Sequence, residues 1–154
     1  MIIISFANER YKKVALNWAC HMQKLKIKNY IIYSLDEETF RFLKQNNIPT
    51  ELCKEWSPSE GKYRWQDRLK IISNIIDSGQ NVLHSDIDAI WVKNPLKFID
   101  KDYKIVASTG KYPHFISKKI GFTLCMGWIY FESCEEVKGL FSSTLKLFED
   151  PAYE

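Results

Sequence analysis

Apolar and polar residues follow one another along the first half of the chain in a pattern that predicts strands alternating with helices. Three short apolar runs are typical of strands buried in a parallel sheet: Ile2 to Phe6, Tyr30 to Tyr33 and Thr50 to Cys53. Apolar side chains recur every three or four positions from Tyr11 to Leu25, which predicts an amphipathic helix with Asn8 as a candidate cap. A second helix is expected after Asp36, because an aspartate followed by two glutamates is a typical helix start.

The second half of the chain continues this alternation. Tyr63 to Ser78 is predicted to form a helix that Gly79 ends in a left-handed conformation. Three further apolar runs predict strands: Asn81 to His84, Tyr103 to Ser108 and Phe122 to Phe131. The final helix is expected to begin at the capping-box sequence Ser133 to Glu136. The polar stretches Lys54 to Lys62 and Thr109 to Lys119 are predicted to be loops.

This order of elements predicts the fold class. Strands that alternate with helices are typical of α/β proteins, so we expect an α/β/α sandwich around a mostly parallel mixed sheet. The 154 residues have the length of a single domain, 1–154. A composition of 45% hydrophobic and 27% charged residues excludes disordered, collagen-like and coiled-coil proteins.

Charge and hydropathy exclude several classes of partner. The 22 Lys and Arg against 19 Asp and Glu leave a net charge of +3, too small and too dispersed to predict a nucleic-acid surface or a polybasic membrane anchor. No apolar run approaches the roughly 20 residues that span a bilayer, and the N-terminus lacks the basic region of a signal peptide. We therefore expect no membrane span and a cytoplasmic location.

The most informative chemical feature is the pair Asp86 and Asp88, which follows directly after a predicted buried strand. The carboxyl ends of strands are where open α/β sheets bind ligands. Two carboxylates this close repel each other unless a cation lies between them, and Mg²⁺ commonly binds one or two carboxylates together with substrate phosphates. The pair therefore predicts a metal–diphosphate site. The alternative is a strand-end turn in which both aspartates accept hydrogen bonds from backbone amides.

Two arginines on the predicted third helix lie within its apolar arc. Arg64 and Arg68 share this arc with six apolar residues: Trp65, Leu69, Ile71, Ile72, Ile75 and Ile76. A guanidinium in such a position needs a carboxylate or a bound phosphate as its partner, unless the side chain extends to solvent. Arg68 is the stronger candidate, because Arg64 lies in the first turn.

The remaining candidates each have a simpler structural interpretation. His84 shares a strand face with Asp86 and either extends a metal site or packs in the core. His114, with the neighbouring lysines at 111, 118 and 119, either steers an anionic ligand or is only solvated. The sequence contains no Ser-His-Asp order, G-x-G-x-x-G, P-loop or H-E-x-x-H string, so triad hydrolases, dinucleotide dehydrogenases, P-loop NTPases and zincins are unsupported.

The same residues resemble a known family. Val82 to Trp91, followed by Asn94-Pro95-Leu96, is similar to the V-L-[YF]-S-D-[VI]-D-x-x-W-x-x-[ND]-P-[LF] signature of nucleotide-diphospho-sugar glycosyltransferases of the DxD type, which have the GT-A fold. Phe6-Ala7-Asn8 before a Trp-containing helix resembles that family's nucleotide-binding first turn. Ser34-Leu35-Asp36 resembles its second strand end, and Cys125 to Phe131 its later glycine strand.

The resemblance implies a role for each matching residue. Asp86 is expected to contact the ribose and the water shell of the metal, Asp88 to ligate Mn²⁺ or Mg²⁺, and Arg68 to contact the donor. These three are the expected catalytic residues, with Asp86 and Asp88 as the metal site. The residues expected to bind the nucleotide sugar are Ala7, Asn8, Asp36, Arg68, Asp86 and Gly127. At Gly127, the absence of a side chain would let the sugar or the acceptor approach the backbone closely.

The sequence therefore predicts a metal-dependent glycosyltransferase, either a hexosyltransferase or a pentosyltransferase. It would move a sugar from a nucleoside diphosphate sugar, most simply a UDP-sugar, to a hydroxyl of a glycan or another acceptor.

Family members continue beyond the glycine strand with a D-Q motif, so we expect the GT-A-like domain 1–154 to be incomplete at its C-terminus. The alternative is a non-catalytic or truncated nucleotide-sugar-binding domain. A phosphatase of the haloacid dehalogenase type also binds Mg²⁺ through a D-x-D pair, but places it on the first strand.

Overall fold

The fold is seen in a computed structural model, which describes residues 1–53 and 62–149 and leaves out the side chains of residues 62–64 and 149. The loop predicted at 54–61 and the side chain of Arg64 lie outside the described residues. No described helix is long and apolar enough to cross a bilayer.

Six strands form one mixed sheet. They are β1 (Ile2–Ala7), β2 (Tyr30–Ser34), β3 (Thr50–Leu52), β4 (Val82–Ser85), β5 (Ile105–Gly110) and β6 (Thr123–Phe131). The spatial order is β3-β2-β1-β4-β6-β5. The first four strands pair in parallel, whereas β6 is antiparallel to both of its neighbours. The strand that carries the aspartate pair therefore lies near the centre of the sheet.

Helices cover both faces of this sheet. They are α1 (Lys12–Lys24), α2 (Glu37–Gln45), α3 (Lys62–Asp77), α4 (His114–Ile120) and α5 (Glu135–Glu149), with 3₁₀ turns at Glu9–Tyr11 and Leu96–Phe98. Buried residues of α1 and α2 form a core on one face, and those of α3 and α5 form a second core on the other. This arrangement confirms the predicted α/β/α sandwich around a mixed sheet.

The alternating direction of strand side chains explains why one sheet supports two cores. In β1, Ile3 belongs to the core that contains Trp18, whereas Ile4 and Phe6 belong to the core that contains Ile72. Successive side chains of a strand point to opposite faces, so a strand buried on both sides reads as a continuous apolar run.

Several predicted helix ends are confirmed. Asp36 caps α2, because its Oδ1 accepts a hydrogen bond from the Thr39 amide at 2.7 Å. Gly79 follows α3 with a φ of 86°, the left-handed conformation expected at a helix end.

Other local predictions are wrong. Thr109 to Lys119 is not a loop, because β5 extends to Gly110 and α4 begins at His114. This helix has only seven residues, and so short an element leaves little periodicity in the sequence. Nor does Ser133 cap α5, which begins at Glu135; the Ser133 hydroxyl instead donates to the carbonyl of Ile76.

The start of the first helix also differs from the prediction. Asn8 precedes the 3₁₀ turn rather than α1, and its side chain makes no capping hydrogen bond. Tyr11 lies in that turn, and it is 45% exposed instead of packing with the buried face of the helix. Both residues are thereby available at the carboxyl end of β1.

Candidate functional site

The carboxyl ends of β1 and β4 meet at one edge of the sheet, and a pocket opens there. The two strands pair in parallel, so the segments that follow them leave the sheet side by side. The pocket has a volume of about 300 Å³ and is lined by Phe6, Ala7, Asn8, Tyr11, Leu35, Trp65, Arg68, Asp86, Ile87 and Asp88. Five of the residues predicted from the sequence, Ala7, Asn8, Arg68, Asp86 and Asp88, therefore line one cavity.

A larger cavity of about 870 Å³ lies elsewhere, between α2, β3 and α3. None of the predicted site residues lines it. We therefore place the candidate site in the smaller pocket, where the carboxylates and the arginine meet.

The backbone of Asp86 is fixed by the neighbouring antiparallel strand. Its amide donates a hydrogen bond to the carbonyl of Gly127 at 2.9 Å. A Cβ atom at position 127 would lie 3.3 Å from Asp86 Oδ2 and 3.4 Å from Cys125 Sγ. The missing side chain of Gly127 thus leaves space for the Asp86 carboxylate itself.

Arg68 extends from α3 over the same edge. Its Nη1 atom lies 3.9 Å from Asp86 Oδ1, and its side chain is 23% exposed. The guanidinium carbon lies 5.3 Å from the ring centroid of Phe6 and 4.9 Å from that of Trp65, so both rings contribute cation–π attraction. Arg68 thus lies beside a carboxylate, one of the two kinds of partner expected for an arginine in the apolar arc of this helix.

His84 lies beneath the pocket and is 1% exposed. Its Nδ1 lies 2.6 Å from the carbonyl oxygen of Met126; since a carbonyl can only accept, Nδ1 carries the proton. Its Nε2 lies 3.9 Å from Asp86 Oδ1. Burial lowers the pKa of His84 below its usual value, which favours the neutral ring. His84 is therefore a packed core residue that adjoins the aspartate pair.

The aspartates differ in environment. Asp86 is half-buried and contacts Arg68, whereas Asp88 is exposed, two residues further along the turn. The amide of Ala89 donates to the carbonyl of Asp86 and that of Ile90 to the carbonyl of Asp88, so backbone bonds set the turn without using either carboxylate.

The donor set of this pocket fits a hard divalent cation. Mg²⁺ and Mn²⁺ prefer oxygen ligands and are often held by one or two carboxylates, with phosphates and waters completing the shell. Asp86 and Asp88 supply such carboxylates at the pocket. Among residues 1–53 and 62–149 no group of three or more His, Cys, Asp or Glu side chains could hold a metal ion alone, so further ligands would have to come from a substrate.

The two nucleotide-binding candidates near β1 and β2 have different surroundings. Asn8 lines the pocket, and its buried Oδ1 has no hydrogen-bond partner among the described residues. Asp36 does not line the pocket, and both of its carboxylate oxygens accept backbone hydrogen bonds, from Thr39 and from Glu9. Asn8 thus places a buried acceptor without a described partner in the pocket wall, whereas Asp36 is occupied in holding the chain.

Five lining residues were not predicted from the sequence, and two of them are exposed aromatic residues. Tyr11 and Trp65 are 45% and 46% exposed, and both line the cavity. The pattern assigned them to buried helix faces, because apolar periodicity does not show where a helix passes beyond the edge of the sheet. Their positions next to Asn8 and Arg68 are the signal that could have identified them.

Comparison with known proteins agrees with this geometry. Residues 25–149 match the family described as nucleotide-diphospho-sugar transferase. The chain is 29% identical over 110 residues to beta-arabinofuranosyltransferase RAY1 and 21% identical over 107 residues to arabinosyltransferase XEG113, both of Arabidopsis thaliana. These alignments cover 64% of this chain but only 20% and 17% of the two relatives.

Solved structures share the fold. The galactosyltransferase LgtC, solved with donor and acceptor sugar analogs, superimposes with a TM-score of 0.62 at 16% identity, covering 95% of this chain and 65% of that one. The glycosyltransferase GlyE of Streptococcus pneumoniae gives a TM-score of 0.57 at 12% identity, covering 98% of this chain and 39% of that one. The GT-A-like fold class expected from the sequence is thereby confirmed.

Proposed function

Because the chain belongs to the nucleotide-diphospho-sugar transferase family, we propose that it transfers a sugar from a nucleoside diphosphate to an acceptor hydroxyl with the help of a divalent cation. The observation that carries this proposal is the shared pocket, in which Asp86, Asp88 and Arg68 lie together at the carboxyl ends of β1 and β4. Two anionic oxygen donors and a fixed cation form an environment suited to a metal–diphosphate group.

The chemistry assigns separate tasks to the residues. In the transfer, the bond between the anomeric carbon and the diphosphate oxygen breaks, and a bond to the acceptor oxygen forms. The diphosphate leaves with the electron pair, and the proton of the acceptor hydroxyl passes to the leaving diphosphate or to solvent. A bound Mg²⁺ or Mn²⁺ supplies charge neutralisation of the leaving diphosphate. Asp88, the more exposed carboxylate, would bind the ion directly, with Asp86 supporting its water shell.

Arg68 contributes fixed positive charge to the same pocket. Its contacts with Phe6, Trp65 and Asp86 hold the guanidinium in place before a ligand arrives. A preorganised cation stabilises developing negative charge at little cost in reorganisation. Arg68 is therefore positioned to favour departure of the diphosphate.

The nucleoside would occupy the side of the pocket next to β1. The buried Oδ1 of Asn8 has no partner among the described residues, and it would accept a hydrogen bond from a ribose hydroxyl or a base N–H once the side chain turns towards the pocket. The exposed rings of Tyr11 and Trp65 offer flat surfaces against which a base can stack. These contacts suit UDP or GDP and do not discriminate between them.

The names of the plant relatives favour a pentose as the transferred sugar, since both are arabinosyltransferases. A donor series tests this choice: UDP-arabinofuranose and UDP-galactose are compared for release of UDP in the presence of hydroxyl acceptors. Faster release from the arabinose donor supports a pentosyltransferase, and preference for the galactose donor supports a hexosyltransferase. Donor binding without any release would identify the non-catalytic alternative.

Calorimetric titration tests the site directly. UDP and GDP are titrated into the protein with and without Mn²⁺, using Asp88→Asn and, as a matched control, Asp102→Asn, which removes one exposed carboxylate outside the pocket. We expect Mn²⁺ to strengthen binding at least tenfold, which is about 1.4 kcal/mol. Asp88→Asn should abolish that gain and Asp102→Asn should preserve it. Equal affinity in both variants would contradict the metal assignment.

A further inference from the structure

The end of β5, the helix α4 and the start of β6 form a hairpin, residues 108–124, with an unusual surface. Five of its large apolar side chains are 46–78% exposed: Tyr112, Phe115, Ile120, Phe122 and Leu124. Leu124 lies within β6, and Phe122 comes immediately before that strand. Exposed apolar side chains concentrated in one short segment are typical of a site of interaction.

Three lysines belong to the same hairpin as these apolar side chains. Lys111, Lys118 and Lys119 are all exposed. The ion pairs seen among the described residues involve other cationic groups, so no described carboxylate pairs with these three lysines. The sequence contains no Asp or Glu from 103 to 131. The whole chain has a net charge of +3. This hairpin alone contributes three positive charges and no negative one, so the charge is locally concentrated.

The combination of exposed apolar side chains with lysines favours one kind of partner. Exposed aromatic and aliphatic side chains flanked by lysines suit the interface of an anionic bilayer, where the apolar groups enter the acyl boundary and the ammonium groups meet lipid phosphates. A second copy of the chain would bring the same three positive charges against them, and like charges across an interface oppose association. A neutral apolar partner would leave the lysines without a role.

We propose that the hairpin 108–124 docks on the surface of an anionic lipid bilayer. The inference rests on exposure and charge, and it does not depend on the transfer reaction proposed above. The hairpin extends from the sheet edge that holds the pocket: Leu124 precedes Gly127 by three residues, about 10 Å along the strand. Docking would therefore hold the pocket close to the membrane surface, where acceptors carried by lipids could reach it.

Vesicle co-sedimentation tests the proposal without any sugar donor. The protein is incubated with vesicles of phosphatidylcholine alone or with added phosphatidylserine, at low and at high salt. We expect binding to the phosphatidylserine vesicles that high salt weakens, and roughly tenfold or more weaker binding for Lys118→Gln/Lys119→Gln, since each lysine near an anionic surface contributes to affinity.

Matched variants separate the hairpin from general effects of charge and hydropathy. Lys24→Gln/Lys28→Gln removes the same charge next to the start of β2, at the end of the sheet opposite the pocket. This variant should bind vesicles as strongly as the unchanged protein does. Phe115→Ser should weaken binding, whereas Leu147→Ser, at an exposed position of α5, should not. All six substituted residues are exposed, so circular dichroism should show unchanged folding.

Three results would overturn the proposal. The first is equal sedimentation with both kinds of vesicle, and the second is an equal loss of binding for the two double-lysine variants. The third is concentration-dependent dimerisation in light scattering that Phe115→Ser abolishes, with no binding to vesicles, which would assign the surface to a second copy of the chain.

Discussion

Gly127 shows how one absent side chain shapes the candidate site. The structure places the Asp86 carboxylate, and not an open approach for a ligand, against this glycine, with 3.3 Å between Asp86 Oδ2 and a Cβ built at position 127. Contacts that close are tighter than ordinary van der Waals packing, so a methyl group here would displace the carboxylate. The role expected from the sequence, close approach of a sugar or an acceptor, remains a prediction.

Gly127→Ala should therefore weaken metal-dependent binding of UDP. A displacement that costs about 1 kcal/mol corresponds to a loss of roughly fivefold in affinity, measurable by calorimetry. Gly139→Ala is the matched control, since a Cβ at this helical position meets nothing within 4 Å. The control should keep its affinity and gain up to about 1 kcal/mol in the free energy of unfolding from helix propensity. Full affinity in Gly127→Ala would show that the Asp86 carboxylate can move freely.

At the scale of single residues, the sequence predicted those site residues whose positions follow from strand ends and helix periodicity. Asp86, Asp88 and Arg68 were identifiable, because a strand delivers its final residues to the sheet edge and a helix wheel shows a charge on an apolar arc. Tyr11 and Trp65 were not, because burial depends on how far each helix extends past the sheet. No local pattern records that distance.

Asp36 connects two elements. Its Oδ1 caps α2 through the Thr39 amide and its Oδ2 accepts from the Glu9 amide, both at 2.7 Å. The carboxylate thus ties the 3₁₀ turn after β1 to the start of the second helix. This contact explains why an aspartate lies at the end of β2 even though it does not line the pocket.

Asp36→Ala should lower the free energy of unfolding by about 1–2 kcal/mol, because loss of a helix cap alone costs about 1 kcal/mol. Urea denaturation measures this change. Asp100→Ala serves as the comparison, since Asp100 accepts one backbone hydrogen bond in an exposed turn and caps no described helix. That variant should lose less than about 0.5 kcal/mol. If Asp36→Ala keeps full stability but loses affinity for UDP, the aspartate is a nucleoside ligand instead.

Elements with long apolar patterns were the predictable ones. All six strands and four of the five helices follow from periodicity and turn residues. The exception is α4, which is too short to show a helical repeat and lies in a stretch whose lysines suggested a solvated loop. Phe115 and Ile120 of this helix are exposed, so apolar character does not predict burial there.

At the scale of the molecule, the sheet separates two independent cores. Ile32 belongs to the core under α1 and α2, and Ile72 to the core under α3 and α5; both are fully buried. Alternating strands and helices are enough to predict this layering. The order of the strands was not predictable, because it depends on which connections cross the sheet and on the reversal of β6.

Ile32→Val and Ile72→Val should each lower the free energy of unfolding by about 0.5–1.5 kcal/mol, the cost of removing one buried methylene. Because the two side chains lie in different cores, the double variant should show the sum within about 0.5 kcal/mol. Chemical denaturation of the single and double variants provides the comparison. A larger discrepancy would mean that packing on one face of the sheet responds to packing on the other.

The reversed strand β6 also bears on how the protein is made. Synthesis proceeds from the N-terminus, so β1 to β4 emerge from the ribosome before β6 does. Until β6 emerges, β4 is an edge strand with unpaired backbone groups, the kind of edge that recruits strands from other chains. Asp86 also lacks the carbonyl that its amide will bond. The nascent domain is therefore most prone to misassembly between the emergence of Ser85 and the emergence of Phe131, and the binding pocket is completed only at the close of that interval.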